Sequence, residues 1–598
     1  MWRTILAEQF QSGRTIVKKT NNGKSEEKTN RRKFLQAGAL AGAAAAFAPG
    51  SGAMMRTSRI EVRENAREGA LVGGSGAGAD SGGGPNPFAP GGRDEVKAFE
   101  FDEVTIAELQ DGMKSGKHTA RSIAEKYLAR IDAIDAHGPE IRSVIETNPD
   151  ALAIAEALDK ERKAKGPRGP LHGIPVLIKD NIDTADRMMT TAGSLALVGA
   201  KPPKDSFVVQ KLREAGAVIL GKTNPSEWAN IRSSHATSGW SGRGGLTKNP
   251  FALDRNPCGS SSGTGAGIAA NLAALGVGTE TDGSIVCPSS SNGLVGIKPT
   301  VGLISRSGII PISHTQDSAG PMCRTVRDAA ILLGAMTGVD PDDAAMAASV
   351  EKSYADYAYY LQPNKPGARI GVVRKYFGFS EAVDALMERA IDVLKKNGAV
   401  IVDPADIATT AKTGDNETKV LLYELKADLN AYLARLGPGA PVHTLKEVIE
   451  FNEKNALKEM PYFGQDMFIK AEAKGDLKTQ DYLDALNNNL RLARQEGIDA
   501  TMDKFQLDAL IGPTGGPAWV TDLVNGDNAA GQTSSAAAVA CYPSVSVPMG
   551  YVFGLPVGIS FFGRAWSEPT LIALAYNFEQ ATKVRKAPKF RSTANLSA

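Results

Sequence analysis

The feature that most constrains the fold of this chain is a run of small residues between positions 259 and 278. Glycine, serine, threonine and alanine dominate the run, and it carries no charged side chain. Small side chains let backbone segments pack closely and leave amide N–H groups free to point into a site. A Thr281-Asp282-Gly283 turn follows shortly after, so the sequence predicts a tightly packed segment between two serines, Ser260 and Ser284.

A lysine ends an apolar segment further upstream. Residues 174–178 read Ile-Pro-Val-Leu-Ile and are followed by Lys179. Such a run predicts a buried strand, and a lysine at its end is partly desolvated, which favours the neutral amine. The simpler alternative is a lysine that reaches water or pairs with Asp180.

The turn before the second serine has the composition of an anion-binding loop. Consecutive backbone N–H groups of Thr281, Asp282, Gly283 and Ser284 would point at one position beside the Ser284 hydroxyl, as in an oxyanion hole. An ordinary Gly/Ser loop is the alternative. A serine needs a base before it attacks a carbonyl, and the base on offer here is lysine.

Helical segments alternate with short apolar segments around Val176, Val218 and Val277. Residues 104–134 have helical spacing of their apolar positions. This alternation predicts an α/β architecture with a mostly parallel sheet.

Together these segments resemble the amidase signature family of serine hydrolases, whose Gly/Ser-rich stretch ends in Gly-Ser-Ile, as residues 283–285 do here. The resemblance runs from about residue 99 to about residue 586 and includes 295–300 and 555–559. It implies a large mixed, mostly parallel sheet covered by helices on both faces, in a single domain.

The resemblance also implies a Ser-Ser-Lys triad. Ser284 matches the nucleophile, Ser260 the bridging serine held on a non-proline cis peptide, and Lys179 the general base. The N–H groups of residues 281–284 match the oxyanion hole. No cofactor and no metal are implied.

Two departures from the family pattern narrow the comparison. The usual Gly-Gly-Ser-Ser-Gly-Gly is Cys-Gly-Ser-Ser-Ser-Gly at 258–263, and the usual Asp-x-Gly-Gly-Ser-Ile-Arg is Glu-Thr-Asp-Gly-Ser-Ile-Val at 280–286. Both resemble the peptide amidase branch, which hydrolyses the C-terminal amides of peptides. The resemblance thus implies an amidase that converts a linear carboxamide, with peptide amides as the leading substrates, to carboxylate and ammonia through an acyl-enzyme.

Two other functions stay open at this point. One is the amidase component of a tRNA-dependent amidotransferase, which needs a partner chain and a cytoplasmic location. The other is a non-catalytic periplasmic binding protein that keeps the fold without turnover.

The amino-terminal part predicts export. Arg31-Arg32 precede the weakly apolar segment 37–48, as in a Tat signal, which we place at 1–48. An alanine-rich membrane anchor is the alternative, but the segment is shorter than the ~20 residues that span a bilayer, so no stable membrane insertion is expected. We predict a Gly/Ala/Pro-rich linker over 49–96, an amidase domain over 97–590, and a periplasmic or secreted protein whose partner in transport is the Tat machinery.

Other signals argue against further functions. The formal net charge is +2, which does not suggest nucleic-acid binding. Residues 216–223 satisfy the P-loop pattern, but 217–220 have the composition of a strand preceded by a helix over 206–215, so no phosphate site is predicted. The six histidines lack metal-ligand spacing. The four cysteines include no C-x-x-C pair, which predicts neither zinc nor a disulfide framework, and Cys287 is interpreted as a packing residue.

A polar and mainly helical excursion is predicted over 417–504. If it covers the site, Met460, Tyr462 and Phe463 are candidate substrate contacts. A surface layer of helices is the alternative.

Overall fold

The short apolar segments of the sequence form strands in the computed structural model, which describes residues 96–362 and 367–596. The predicted signal region 1–48 lies outside the described residues, as does the predicted linker apart from residue 96. In chain order the strands are β1 Val144–Thr147, β2 Pro175–Lys179, β3 Val218–Thr223, β4 Trp240–Ser241, β5 Gly245–Leu246, β6 Leu275–Glu280, β7 Val295–Lys298, β8 Ser318–Cys323, β9 Arg369–Val372, β10 Val400–Val402, β11 Ala509–Pro513, β12 Ser544–Val552 and β13 Leu555–Phe562.

Within the described part of the chain, eleven strands form one sheet in the order β1-β3-β2-β6-β8-β7-β12-β13-β11-β9-β10, and β4 pairs with β5. Every residue of β2, β3 and β6 is buried. Because successive residues of a strand face opposite sides, both faces of the sheet are covered there. This confirms the predicted large mixed sheet with helices on both faces.

The sheet is less parallel than predicted. Parallel pairing joins β2 to β3 and β6, and β9 to β10 and β11. The other pairs are antiparallel, among them β12 with β13, which are separated only by Phe553 and Gly554. Both of these residues have positive φ, 51° and 78°, as in a two-residue hairpin turn. Parallel strands need a long crossover, so a two-residue connection enforces the antiparallel pairing.

The helices confirm the predicted periodicity. They are α1 Ile106–Lys114, α2 Ala120–Ile131, α3 Ala151–Lys165, α4 Phe207–Glu214, α5 Ser262–Ala269, α6 Val286–Ser291, α7 Val326–Met336, α8 Glu381–Lys396, α9 Gly414–Arg435, α10 Leu445–Lys454, α11 Ala456–Glu459, α12 Asp466–Glu472, α13 Gln480–Leu490, α14 Asp499–Phe505, α15 Ser535–Val539 and α16 Glu568–Thr582. Thr105 and Thr119 begin α1 and α2 with capping boxes. Among residues 96–362 and 367–596, no helix has both the length and the apolarity to cross a bilayer.

Helices α9 to α14 make up the predicted excursion over 417–504. It docks on loops at the edge of the sheet. The Tyr432 hydroxyl donates to Asp183 (2.7 Å) just beyond β2, and Arg435 pairs with the same carboxylate. The Glu424 carboxylate accepts from Thr315 in the loop before β8. The excursion therefore borders the loops that carry the candidate site.

The segment with the P-loop pattern is a strand, as predicted. Helix α4 precedes β3, and Gly221, Lys222 and Thr223 lie inside β3. The buried Lys222 ammonium donates to the Ile182 carbonyl (2.7 Å) and to Thr190 Oγ1 (2.8 Å). A P-loop would follow the strand and open a helix, so this lysine stabilises the core.

Candidate active site

Lys179 is the last residue of β2 and is fully buried. Its Nζ donates to Ser260 Oγ (2.8 Å) and Thr279 Oγ1 (2.9 Å), with the Thr279 carbonyl at 3.4 Å. Asn181 donates to the same threonine hydroxyl (3.0 Å). The lysine therefore points inward to a serine rather than out to solvent.

Burial lowers the pKa of Lys179 to about 7, although the carboxylates of Asp317 and Glu280 act to raise it. A buried ammonium is poorly solvated, so the proton is released near neutral pH. The neutral amine that forms has a lone pair and can accept a proton from a hydroxyl group.

The structure separates the roles of three adjacent serines. Ser260 follows a cis Gly259–Ser260 peptide bond, and its hydroxyl is the one that meets Lys179. The Ser261 hydroxyl donates to the Thr279 carbonyl (3.0 Å), and the Ser262 hydroxyl pairs with Ser226 (3.2 Å). The geometry therefore agrees with Ser260 as the bridging position.

The small residues allow close approaches, as the sequence predicts. A Cβ atom on Gly263 would lie 2.2 Å from the Ser143 carbonyl oxygen, and one on Gly278 would lie 2.8 Å from Ser261 Oγ. Larger side chains here would push apart the segments that hold Ser260 against Lys179.

The turn that carries Ser284 presents free amides. The Glu280 carboxylate accepts the N–H groups of Ile285 (2.7 Å) and Val286 (2.9 Å), just beyond the turn. Gly283 has a φ of +81°, a conformation that favours glycine. Within the described residues, the N–H groups of residues 281–284 donate no hydrogen bond.

The Ser284 side chain is half-buried, and its hydroxyl likewise has no hydrogen-bond partner among the described residues. Thus the contact from Lys179 to Ser260 is formed, and the Ser284 hydroxyl is free to turn.

The chain matches the family model described as Amidase over residues 122–572. It belongs to the amidase signature family. The match lies inside the predicted domain 97–590, and the chain is accordingly an amide-hydrolysing enzyme.

Solved and curated relatives of this amidase include peptide and tRNA-linked enzymes. The native peptide amidase of Stenotrophomonas maltophilia is 48% identical, with a TM-score of 0.79, over 82% of this chain and 100% of that one. A probable amidase of Arabidopsis thaliana is 43% identical over 82% of this chain and 92% of its own length. A glutamyl-tRNA(Gln) amidotransferase component of Thermoanaerobacter pseudethanolicus is 32% identical over 82% and 99%.

The sequence analysis missed a disulfide. Cys258 and Cys287 are bonded, with their Cα atoms 6.0 Å apart. Cys287 is therefore not the simple packing residue that we predicted. The bond connects the loop before Ser260 to helix α6, which begins just after Ser284. Twenty-nine positions separate the cysteines, a spacing that carries no recognisable motif.

Removing this bond in a Cys258→Ser/Cys287→Ser variant is expected to lower the free energy of unfolding by about 3 to 4 kcal/mol, as loop-closure entropy predicts. Because the bond joins the two serine segments, the rate of ammonia release should also fall. Thermal unfolding and initial rates measure both effects. A Cys323→Ser variant, at a free buried cysteine, serves as the control. Unchanged stability and rate in the double variant would contradict this expectation.

The three predicted substrate contacts pack near Trp240. The Tyr462 and Phe463 rings lie edge-on to Trp240, at centroid distances of 5.6 and 5.2 Å, and Arg232 lies over Phe463. These contacts link them to each other rather than to the triad. Their role in substrate binding, with that of Met460, stays a prediction.

A cavity of about 400 Å³ lies beside the Ser284 turn and was not predicted. Ser535 in its wall donates to Asp282 Oδ2 (2.6 Å). Its lining comes from distant parts of the chain, among them Tyr376, Glu417 and Gln532. No local motif marks these residues, because only the fold brings them together.

The two histidines nearest the site in sequence or space have other partners. The buried His172 ring is bonded to the Leu158 carbonyl (2.9 Å). His314 lies with Glu424 and Asp428, three groups of the kind that hold metals. Its Nδ1 is 2.9 Å from Asp428, however, and Glu424 already accepts from surrounding hydroxyls, so an ion pair accounts for the group.

Proposed function

We propose that this amidase hydrolyses the C-terminal amides of peptides through Lys179, Ser260 and Ser284. The observation that carries the proposal is the 2.8 Å contact between a buried lysine of lowered pKa and Ser260. A buried lysine without a catalytic role would be expected to pair with a carboxylate or reach water.

In the proposed first step, neutral Lys179 takes the proton of Ser260, Ser260 takes that of Ser284, and Ser284 Oγ attacks the amide carbon. The N–H groups of residues 281–284 hold the oxyanion. Collapse of the intermediate breaks the C–N bond, and the nitrogen leaves as ammonia with a proton delivered through Ser260. Water then attacks the acyl-enzyme by the same relay and releases the carboxylate.

The relay requires the Ser284 hydroxyl to turn toward Ser260 when substrate binds. Catalytic hydrogen bonds often form fully only in the substrate complex, and the free hydroxyl of Ser284 permits the rotation.

The substrate class rests on the similarity to the Stenotrophomonas maltophilia peptide amidase, which at 48% identity exceeds the 32% to the amidotransferase component. The test is ammonia release by the purified chain from N-blocked peptide amides, small aliphatic and aryl amides, and glutamine. Release mainly from peptide amides supports the proposal. Activity confined to small amides would replace it with a general amidase, and activity confined to glutamine would favour the amidotransferase alternative.

A non-catalytic protein on the same fold is separated by a covalent probe. A fluorophosphonate labels a serine only where the nucleophile is activated. Labelling of Ser284 that disappears in a Lys179 variant excludes the binding-protein alternative, whereas absence of labelling in intact protein would support it.

The rate should depend on pH with a rising limb centred near pH 7. Below this pH Lys179 is protonated and cannot accept the Ser260 proton, and above it the amine is neutral. Asp317, with a pKa raised by burial to about 6, and the buried Glu280 are the acidic groups facing the lysine. Initial kcat/KM values from pH 5 to 9 measure the limb. A flat profile across this range would contradict Lys179 as the base.

A further inference from the structure

Asp282 places a carboxyl group in the turn proposed to hold the oxyanion. In the family pattern given above for residues 280–286, this position is glycine. A carboxylate directed at the oxyanion would oppose the negative charge that develops there. The direction of this side chain therefore matters for catalysis.

The carboxyl group of Asp282 is held against the wall of the 400 Å³ cavity. Oδ2 accepts the Ser535 hydroxyl (2.6 Å). Oδ1 is buried and receives no N–H or hydroxyl group of the described residues. The carboxyl group of Glu417 is hydrogen-bonded to that of Asp282. Oδ1 is the acceptor that remains for it.

Glu417 is fixed from its other side as well. It lies in the first turn of α9 and is only 8% exposed, and Gln316 Nε2 donates to its Oε1 (3.0 Å). Two carboxylates in contact cannot both be charged at low cost, so one of them keeps a proton. A protonated Glu417 has the O–H that Asp282 Oδ1 lacks.

The surroundings favour the proton on Glu417. Burial and then the charge of Asp282 raise the pKa of Glu417 well above its usual range. Tyr376 is the other ionisable side chain among the described residues that line the cavity, and burial raises its pKa too. On the sheet side, Glu280 and Lys298 face the turn and offset one another.

We infer that protonated Glu417 is a positioning residue that, with Ser535, turns the Asp282 carboxylate away from the oxyanion and toward the cavity wall. The Ser284 turn is thereby tied to helix α9 of the excursion. The inference rests on the proposed function, because it assigns a purpose to the turn in that mechanism.

Two substitutions at position 417 separate the roles of shape and proton. Glu417→Gln keeps a neutral donor at every pH, and Glu417→Ala removes it. At pH 7 we expect kcat within about three-fold of wild type for the glutamine variant and about 10- to 100-fold lower for the alanine variant, with KM little changed. Asp415→Asn, at an exposed residue of the same helix turn, is the control expected to match wild type.

The pH profile gives a readout that loss of packing alone would not move. In wild type, kcat should fall at alkaline pH as Glu417 loses its proton and no longer holds Asp282. In Glu417→Gln this falling limb should be absent. An identical limb in both proteins would overturn the inference. So would an alanine variant as active as wild type. Ser535→Ala removes the second contact and should lower kcat in the same direction; it remains informative if Glu417→Ala does not fold.

The rate of fluorophosphonate labelling of Ser284 distinguishes the two proposals. If wild-type Ser284 is not labelled, the proposed function fails and takes this inference with it. If wild type is labelled and Glu417→Ala is labelled equally fast, only the inference fails.

Discussion

Replacing Ser284 by alanine is expected to lower the rate of ammonia release by at least about 10⁴-fold with the fold intact, because no nucleophile remains to form the acyl-enzyme. The Ser284 hydroxyl has no hydrogen-bond partner among the described residues, so its removal leaves no buried polar group unsatisfied. Initial rates with a peptide amide and the thermal midpoint of each protein measure the two effects.

The matched control is Ser262→Ala, two positions beyond the bridging serine. The Ser262 hydroxyl pairs with Ser226 rather than with Lys179. This variant should retain activity within about ten-fold of wild type, at the cost of one modest hydrogen bond. Substantial turnover in Ser284→Ala would assign the nucleophile to another group.

Replacing Lys179 by methionine is expected to lower kcat by about 10³- to 10⁵-fold. Methionine fills a similar volume in the core but has no lone-pair nitrogen, so Ser260 loses its proton acceptor. Activity at pH 7 and labelling of Ser284 by the fluorophosphonate should both fall. Lys179→Arg tests charge against basicity, since arginine stays protonated and should be equally inactive.

The same variant has a consequence for stability. Between about pH 7 and the usual range of a lysine, the unfolded chain binds a proton at Lys179 that the folded chain has released. The wild-type free energy of unfolding therefore gains from this group as pH rises through that window. Lys179→Met should lack this contribution, and denaturant unfolding at several pH values measures the difference. A methionine variant that keeps wild-type turnover would remove Lys179 from the mechanism.

Local patterns were enough to predict the parts of the site that depend on adjacent residues. The apolar run 174–178 predicted a buried strand ending at Lys179, and the small residues of 259–278 predicted close packing. In both cases the physical cause, desolvation or the absence of a side chain, is written in the residues themselves.

Contacts between distant segments had no such signature. The bond between Cys258 and Cys287 depends on how α5 and β6 fold back between them. The approach of Glu417 to Asp282 joins residues more than 100 positions apart, and polar residues on a helix usually face solvent. The parallel character of the sheet was overestimated because one short turn, Phe553-Gly554, was not recognised as a hairpin.

The bond between Cys258 and Cys287 gives the timing of synthesis a chemical meaning. The cytoplasm keeps thiols reduced, whereas compartments outside it allow disulfides to form and persist. A newly made chain that awaits the proposed export would hold its two serine segments without this link. Maturation of the enzyme would then be completed only after departure from the cell interior, a safeguard for the amides that the cell itself needs.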